Sequence, residues 1–288
     1  MTSIKVADDG GDTVNVVEVD DLLLPPFPIE ALVKLPEFKL RPDDVLVCAY
    51  PKSGTHWVWE ITRQLQAGTT DLELVEKDDG MIELSLSSHF DHQPDPRTLN
   101  THLPFDKLPF DIHNKKCKII YLLRNPKDVS VSYFNHHRKL EEFYEYHGQW
   151  KNYLPMVFDG RLDYGSWFDY VLGWEKAVMG QTNLPILALS YEDLQEDPIK
   201  GITQIAKFLG KNYDDDLIKT VCEKCCFKQM KKDKGKLEVF NGEPIMYRKG
   251  EVGDWKNWFT VAQNDWFDHV YKTKMRDSNL KIRFTLDS

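Results

Sequence analysis

Three short apolar runs, each leading into a segment with helix signals, predict an α/β fold. That fold is a single domain in which helices flank a central parallel sheet. The first run is Val45–Ala49, followed by Trp57, Ile61 and Leu65 at four-residue spacing. The second is Lys118–Leu123, followed by Val129, Ser132, Tyr133, His136 and Leu140. The third covers 185–190. Beyond it lies a helix capped by Asp197, with Pro198 in its first turn and Gly210 past its end. The 288 residues are enough for one large core, and neither an internal repeat nor a linker interrupts 25–288.

The first strand-to-helix junction reads Tyr50-Pro51-Lys52-Ser53-Gly54-Thr55-His56-Trp57. A loop entering a helix exposes backbone N–H groups, and these favour an anion. Lys52 adds a positive charge, Ser53 and Thr55 add hydroxyl donors, and Gly54 lets the backbone approach closely. The loop is P-loop-like in purpose, built to hold a phosphate or sulfate group. Its spacing differs from that of the common nucleotide loop, which needs glycine, four residues, then Gly-Lys-Ser/Thr. Here Lys52 precedes the only glycine.

Bulk properties narrow the partners. The formal net charge of -9 argues against nucleic acid, so a polyanion must be held by local cations. No run approaches the ~20 apolar residues that span a bilayer. The chain opens on acidic and polar residues, not on a secretory leader. The five cysteines lack framework spacing. The Cys222/Cys225 pair has no second pair nearby, so a reducing, cytoplasmic setting is expected, with no metal.

Residues 1–21 read as a flexible acidic segment, and Pro25, Pro26 and Pro28 as a stiff entry to the domain. The stretch 91–109 reads as a loop carrying His102, placed ahead of the strand Lys118–Leu123 as an active-site loop would be. Arg124 ends that strand, Asn125 caps the next helix, and Arg124 with Ser132 would face a second anion. The region 141–164 is aromatic and suits the wall of a pocket for a ring-bearing acceptor. Lys228 and the residues up to Lys236 read as a basic loop. Arg248, Lys249 and Gly250 would cradle a phosphate, and Thr260 with Gln263 forms a capping box.

The phosphate loop, Thr101-His102-Leu103-Pro104, Arg124-Asn125-Pro126-Lys127-Asp128 with Ser132, Tyr191-Glu192-Asp193, Phe227-Lys228-Gln229-Met230 and Arg248-Lys249-Gly250 agree in order and spacing with one family. The joint pattern resembles the cytosolic sulfotransferases, enzymes that use 3′-phosphoadenosine 5′-phosphosulfate (PAPS). The resemblance implies a sulfotransferase domain over 22–288. Lys52, Ser53, Gly54, Thr55 and the His56 backbone would hold the 5′-phosphosulfate. Trp57, Tyr191 and Phe227 would contact adenine, and Arg124, Ser132, Arg248, Lys249 and Gly250 the 3′-phosphate. His102 would be the catalytic base, and Lys52 would stabilise charge on the departing oxygen. The stretch 256–265 resembles the family's short dimerisation segment, with Asp265 where glutamate is usual, so a homodimer is implied.

The chain departs from its relatives at Asn100, where most carry lysine, and at His56, where many carry threonine. At Cys225 and Cys226 relatives often have Thr-Ser. The expected function is sulfuryl transfer from PAPS to the hydroxyl or amine of a small acceptor, a phenol or alcohol. The acceptor pocket would involve Phe27 and residues 81–90, 143–153 and 236–246. Two alternatives stay open. One is a PAPS-binding protein with weak turnover, motivated by Asn100. The other is a nucleotide-dependent kinase, with Asp193 as a magnesium ligand.

Overall fold

The structure, a computed structural model, describes residues 3–235, 239–240, 243–244 and 246–286. The amino-terminal strands are β1 (Ile4–Ala7), β2 (Thr13–Val19) and β3 (Leu22–Leu24). The central strands are β4 (Val45–Ala49), β5 (Thr98–Thr101), β6 (Lys118–Leu123) and β7 (Ile186–Ser190). They pair in the order β5-β4-β6-β7, and every pairing is parallel.

All five residues of β4 are buried, as a parallel strand covered on both faces requires. Its side chains alternate between two cores. Leu46 and Cys48 join Leu99, Ile119 and Tyr121 on one face. Val45, Val47 and Ala49 join Ile120, Leu122, Ile61 and Leu65 on the other. The expected α/β architecture is therefore present, with the sheet as the partition between its cores.

One central strand was not anticipated. β5 lies inside the stretch read as a loop, because Thr98, Asn100 and Thr101 carry no apolar signal although all are buried. At its start a buried ion pair locks β5 to β4. Arg97 Nε donates to Asp44 Oδ1 at 2.8 Å, and Nη2 to Oδ2 at 2.5 Å.

Two further segments differ from the sequence reading. Over residues 1–21, where a flexible acidic segment was expected, β1 and β2 form an antiparallel sheet with β3. Val14, Val16, Val17 and Val19 are buried from it in the larger core, so apolar burial outweighs the acidic turns. The basic stretch after Phe227 is the helix Phe227–Lys234, not a loop. It buries Met230, and Lys234 Nζ reaches the buried Glu60 carboxylate at 2.5 Å. The helix starts follow their caps: Asn125 accepts from the Asp128 N–H, and Asp197 and Asp214 cap the helices that follow them. Thr260 and Gln263 complete the capping box.

Candidate active site

The carboxyl ends of the four central strands open on one cavity of about 620 Å³. This is where open α/β sheets gather their ligands. β4 delivers the phosphate loop, β5 delivers His102, β6 delivers Arg124 and β7 delivers Tyr191. The lining includes Lys52, Gly54, Thr55, His56, Trp57, His102, Arg124, Ser132, Tyr191, Phe227, Arg248, Lys249 and Gly250. Ser53 is buried beside them and does not line the cavity. Asp193, the magnesium candidate of the kinase alternative, also lies outside the lining and pairs with Arg283 at 2.9 Å.

The phosphate loop turns tightly. Lys52 has a φ of +66° and Gly54 one of +104°. Gly54 opens the helix Thr55–Ala67, and a Cβ there would meet the Tyr191 ring at 2.8 Å. Only glycine fits both constraints. Ser53 Oγ and Thr55 Oγ1 are buried and have no hydrogen-bond partner among the described residues. Buried hydroxyls are ordinarily satisfied, so two such groups at a helix N-terminus fit a phosphate- or sulfate-bearing ligand.

Arg124 ties three loops together. Its guanidinium donates to the carbonyls of Lys52 at 3.0 Å and Glu251 at 3.2 Å. It also lies 4.1 Å above the Tyr191 ring centroid. Trp57 meets Tyr191 edge-on at 5.7 Å. A Cβ at Gly250, whose φ is +71°, would come within 2.2 Å of Phe227. These packed rings make a flat-walled end to the cavity, suited to a base. Arg248 and Lys249 both bond Asp254, at 2.6 and 2.5 Å. Burial would raise the Asp254 carboxyl, but hydrogen bonds from Lys249, Asn257 and Arg248 outweigh it and hold the group down at about 2.

At the other end, His102 Nδ1 lies 2.7 Å from the carbonyl of Ala49, the last residue of β4. A carbonyl only accepts, so Nδ1 carries the proton and Nε2 the lone pair. The His102 N–H donates to Glu83 at 2.7 Å. Burial, reinforced by the charge of Lys77, pushes the His102 imidazole down to about 3, against the opposing pull of its bond to Ala49. Burial likewise pushes the Glu83 carboxyl up to about 7.

Two groups of this site were missed in the sequence. His136 Nδ1 lies 3.3 Å from Lys52 Nζ. Its four-residue offset from Ser132 on the helix Pro126–Lys139 puts both on one face, and that spacing was the available signal. Burial and the nearby Lys52 charge push His136 well below its usual range, so it accepts from the ammonium as a neutral ring. Lys77 also lines the cavity, with no motif to mark it. Of the expected acceptor pocket, Phe27, Met81, Leu84, Phe143 and Tyr144 line the cavity. Residues 236–238, 241–242 and 245 lie outside the described residues.

Comparison with known proteins agrees with this fold. The sulfotransferase domain family matches residues 42–279. Dog (Canis lupus familiaris) sulfotransferase 1B1 is 36% identical over 266 residues, covering 86% of this chain and 88% of that protein. Human (Homo sapiens) sulfotransferase 1C2 is 32% identical over 297 residues, covering 97% and 99%. Among solved structures, mouse sulfotransferase SULT7A1 complexed with PAP superposes with a TM-score of 0.77 at 32% identity, covering 92% of this chain and 96% of that one. The chain belongs to the cytosolic sulfotransferase family.

The buried, neutral His102 gives a direct test. Nitrogen-15 NMR of the free protein should show this imidazole neutral on lowering the pH to about 4. A titration midpoint near its ordinary value of about 6.5 would contradict the geometry described.

Proposed function

We propose that this chain moves a sulfuryl group from PAPS to the hydroxyl, or amine, of a small ring-bearing acceptor, with His102 as general base. The observation that carries this reading is the convergence of a neutral imidazole, His102, and an ammonium, Lys52, on one cavity. Family membership and the PAP-bound mouse relative support the nucleotide half of the reading.

PAPS, when bound, supplies the activated sulfuryl group. The chain's residues divide the remaining work. Ser53, Thr55 and the N–H groups opening the helix Thr55–Ala67 donate to the phosphosulfate oxygens. Trp57, Tyr191 and Phe227 flank the adenine. Arg124, Ser132, Arg248, Lys249 and Gly250 hold the 3′-phosphate, and Asp254 keeps the half-buried Arg248 and the exposed Lys249 in place beforehand. His102 Nε2 takes the acceptor's proton, a contribution of roughly 10²–10⁴ in rate. Lys52 neutralises charge on the departing oxygen. His136 positions Lys52 without adding a rival positive charge.

The acceptor half is lined by apolar and aromatic side chains. Phe27 and Phe143 pack with ring centroids 5.9 Å apart, and Met81, Leu84, Tyr144 and Tyr164 share the lining. This wall favours a phenol or a ring-bearing alcohol over a highly charged acceptor. No helix among the described residues is long and apolar enough to cross a membrane. From family membership we take the compartment to be the cytosol. His102→Ala should abolish transfer of labelled sulfate to a panel of phenols while leaving affinity for adenosine 3′,5′-bisphosphate unchanged. A variant with normal turnover would refute the base. A wild-type chain that binds the nucleotide and transfers nothing would favour the weak-turnover alternative.

We also propose a homodimer through 256–265. Val261 is 79% exposed, and nearby Trp266 is exposed as well. Val261→Glu is expected to convert a dimer to a monomer in light scattering. A wild-type mass equal to one chain would contradict the proposal.

A further inference from the structure

We infer that Lys77 supplies the cation that position 100 lacks and contacts the transferred sulfuryl group directly. This inference rests on the reading of the chain as a PAPS-dependent sulfotransferase. Asn100 sits two residues before His102, at the end of β5, and is fully buried. A buried amide must have its donors and acceptor met. Lys77 meets both sides of it. Lys77 Nζ donates to Asn100 Oδ1 at 3.0 Å, and Asn100 Nδ2 donates to the Lys77 carbonyl at 2.9 Å. The adjoining backbone is also tied to this residue, since the Ile82 N–H donates to the Asn100 carbonyl at 3.1 Å. The segment carrying Lys77 is therefore fastened to the residue that departs from the family pattern.

Lys77 is only 3% exposed. Burying an ammonium is costly unless other groups compensate it. Asp78 does so in part, with an oxygen 3.1 Å away. The Lys77 ammonium has three protons. Asn100 and Asp78 provide oxygen acceptors for two of them. Among the described residues the third partner is the Met81 thioether at 3.5 Å, a weak acceptor. Lys77, Asp78, Met81, Lys52 and His102 all line the one cavity. A sulfuryl oxygen is a stronger acceptor than a thioether, so Lys77 has a donor to direct at it. The positive charge of Lys77 adds to burial in disfavouring protonation of His102. An asparagine at position 100 is then a compatible partner for Lys77. A second ammonium there would repel the first.

The test compares Lys77→Met, Lys77→Arg and the double variant Lys77→Met/Asn100→Lys with the wild type. Two readouts are taken: kcat and KM for transfer to a phenol, and equilibrium binding of PAPS against adenosine 3′,5′-bisphosphate. The second nucleotide lacks the sulfuryl group, so it reports folding and nucleotide binding alone. Lys77→Met should lower kcat by about 10²-fold, the scale of removing one transition-state donor. It should weaken PAPS and spare the bisphosphate, while Lys77→Arg and the double variant recover the preference. Equal loss for both nucleotides would reduce Lys77 to a structural anchor and overturn the inference. So would wild-type kcat in Lys77→Met, or no recovery in the double variant. If the wild type itself transfers no sulfuryl group, the sulfotransferase reading fails, and the binding comparison still decides the role of Lys77.

Discussion

The in-register parallel pairing of four buried strands is the constraint from which the site follows. Cys48 of β4 aligns with Thr101 of β5 and Tyr121 of β6, and Leu123 of β6 aligns with Ser190 of β7. Because the strands run the same way, the residues that follow them emerge along a single edge. Lys52, His102, Arg124 and Tyr191 come from positions far apart in sequence and meet there without any long-range motif. A parallel sheet must be covered on both faces, and the two cores divided by β4 provide that cover. The loops at the edge are then left to carry the chemistry.

The electrostatics of the site are local and largely paired in advance. A chain of net charge -9 does not attract a polyanion by its overall field. It instead fixes a few cations against specific acceptors. Arg124 is held by two carbonyls and a ring face. Arg248 and Lys249 share Asp254, and Lys52 rests against a neutral histidine. Such preorganisation lowers the cost of ordering long side chains when a ligand arrives. The same low-dielectric surroundings keep His102 neutral, with a lone pair on Nε2. Depressed His102 and elevated Glu83 act oppositely on stability. The His102 contribution is complete above its unfolded value and is lost as pH falls toward about 3. The Glu83 contribution is complete below its unfolded value and is lost as pH rises toward about 7.

Much of this was legible in the sequence because the informative signals were local. A short apolar run followed by helical periodicity identified β4, β6 and β7. A lysine, two hydroxyls and a glycine marked the strand-to-helix junction that lines the cavity. What escaped had its cause at a distance. β5 is buried but polar, so no apolar run marks it. Lys77 and Asn100 lie 23 residues apart and Lys234 and Glu60 lie 174 apart, so neither pairing leaves a periodic trace. The amino-terminal sheet was hidden by acidic turns, although Val14 and Val16, and again Val17 and Val19, stand two residues apart. Asn100, read alone, is a lost cation. Beside Lys77 it is one half of a hydrogen-bonded pair whose ammonium comes from the neighbouring segment.

The central claim is that separate loops grip the two anionic ends of one adenosine nucleotide. Isothermal titration calorimetry with adenosine 3′,5′-bisphosphate, repeated with adenosine 5′-monophosphate, tests it most directly. The account predicts tight binding of the bisphosphate and much weaker binding of the monophosphate, because Arg124, Arg248 and Lys249 would lose their ligand. Equal affinity for the two nucleotides, or no heat with the bisphosphate, would contradict it.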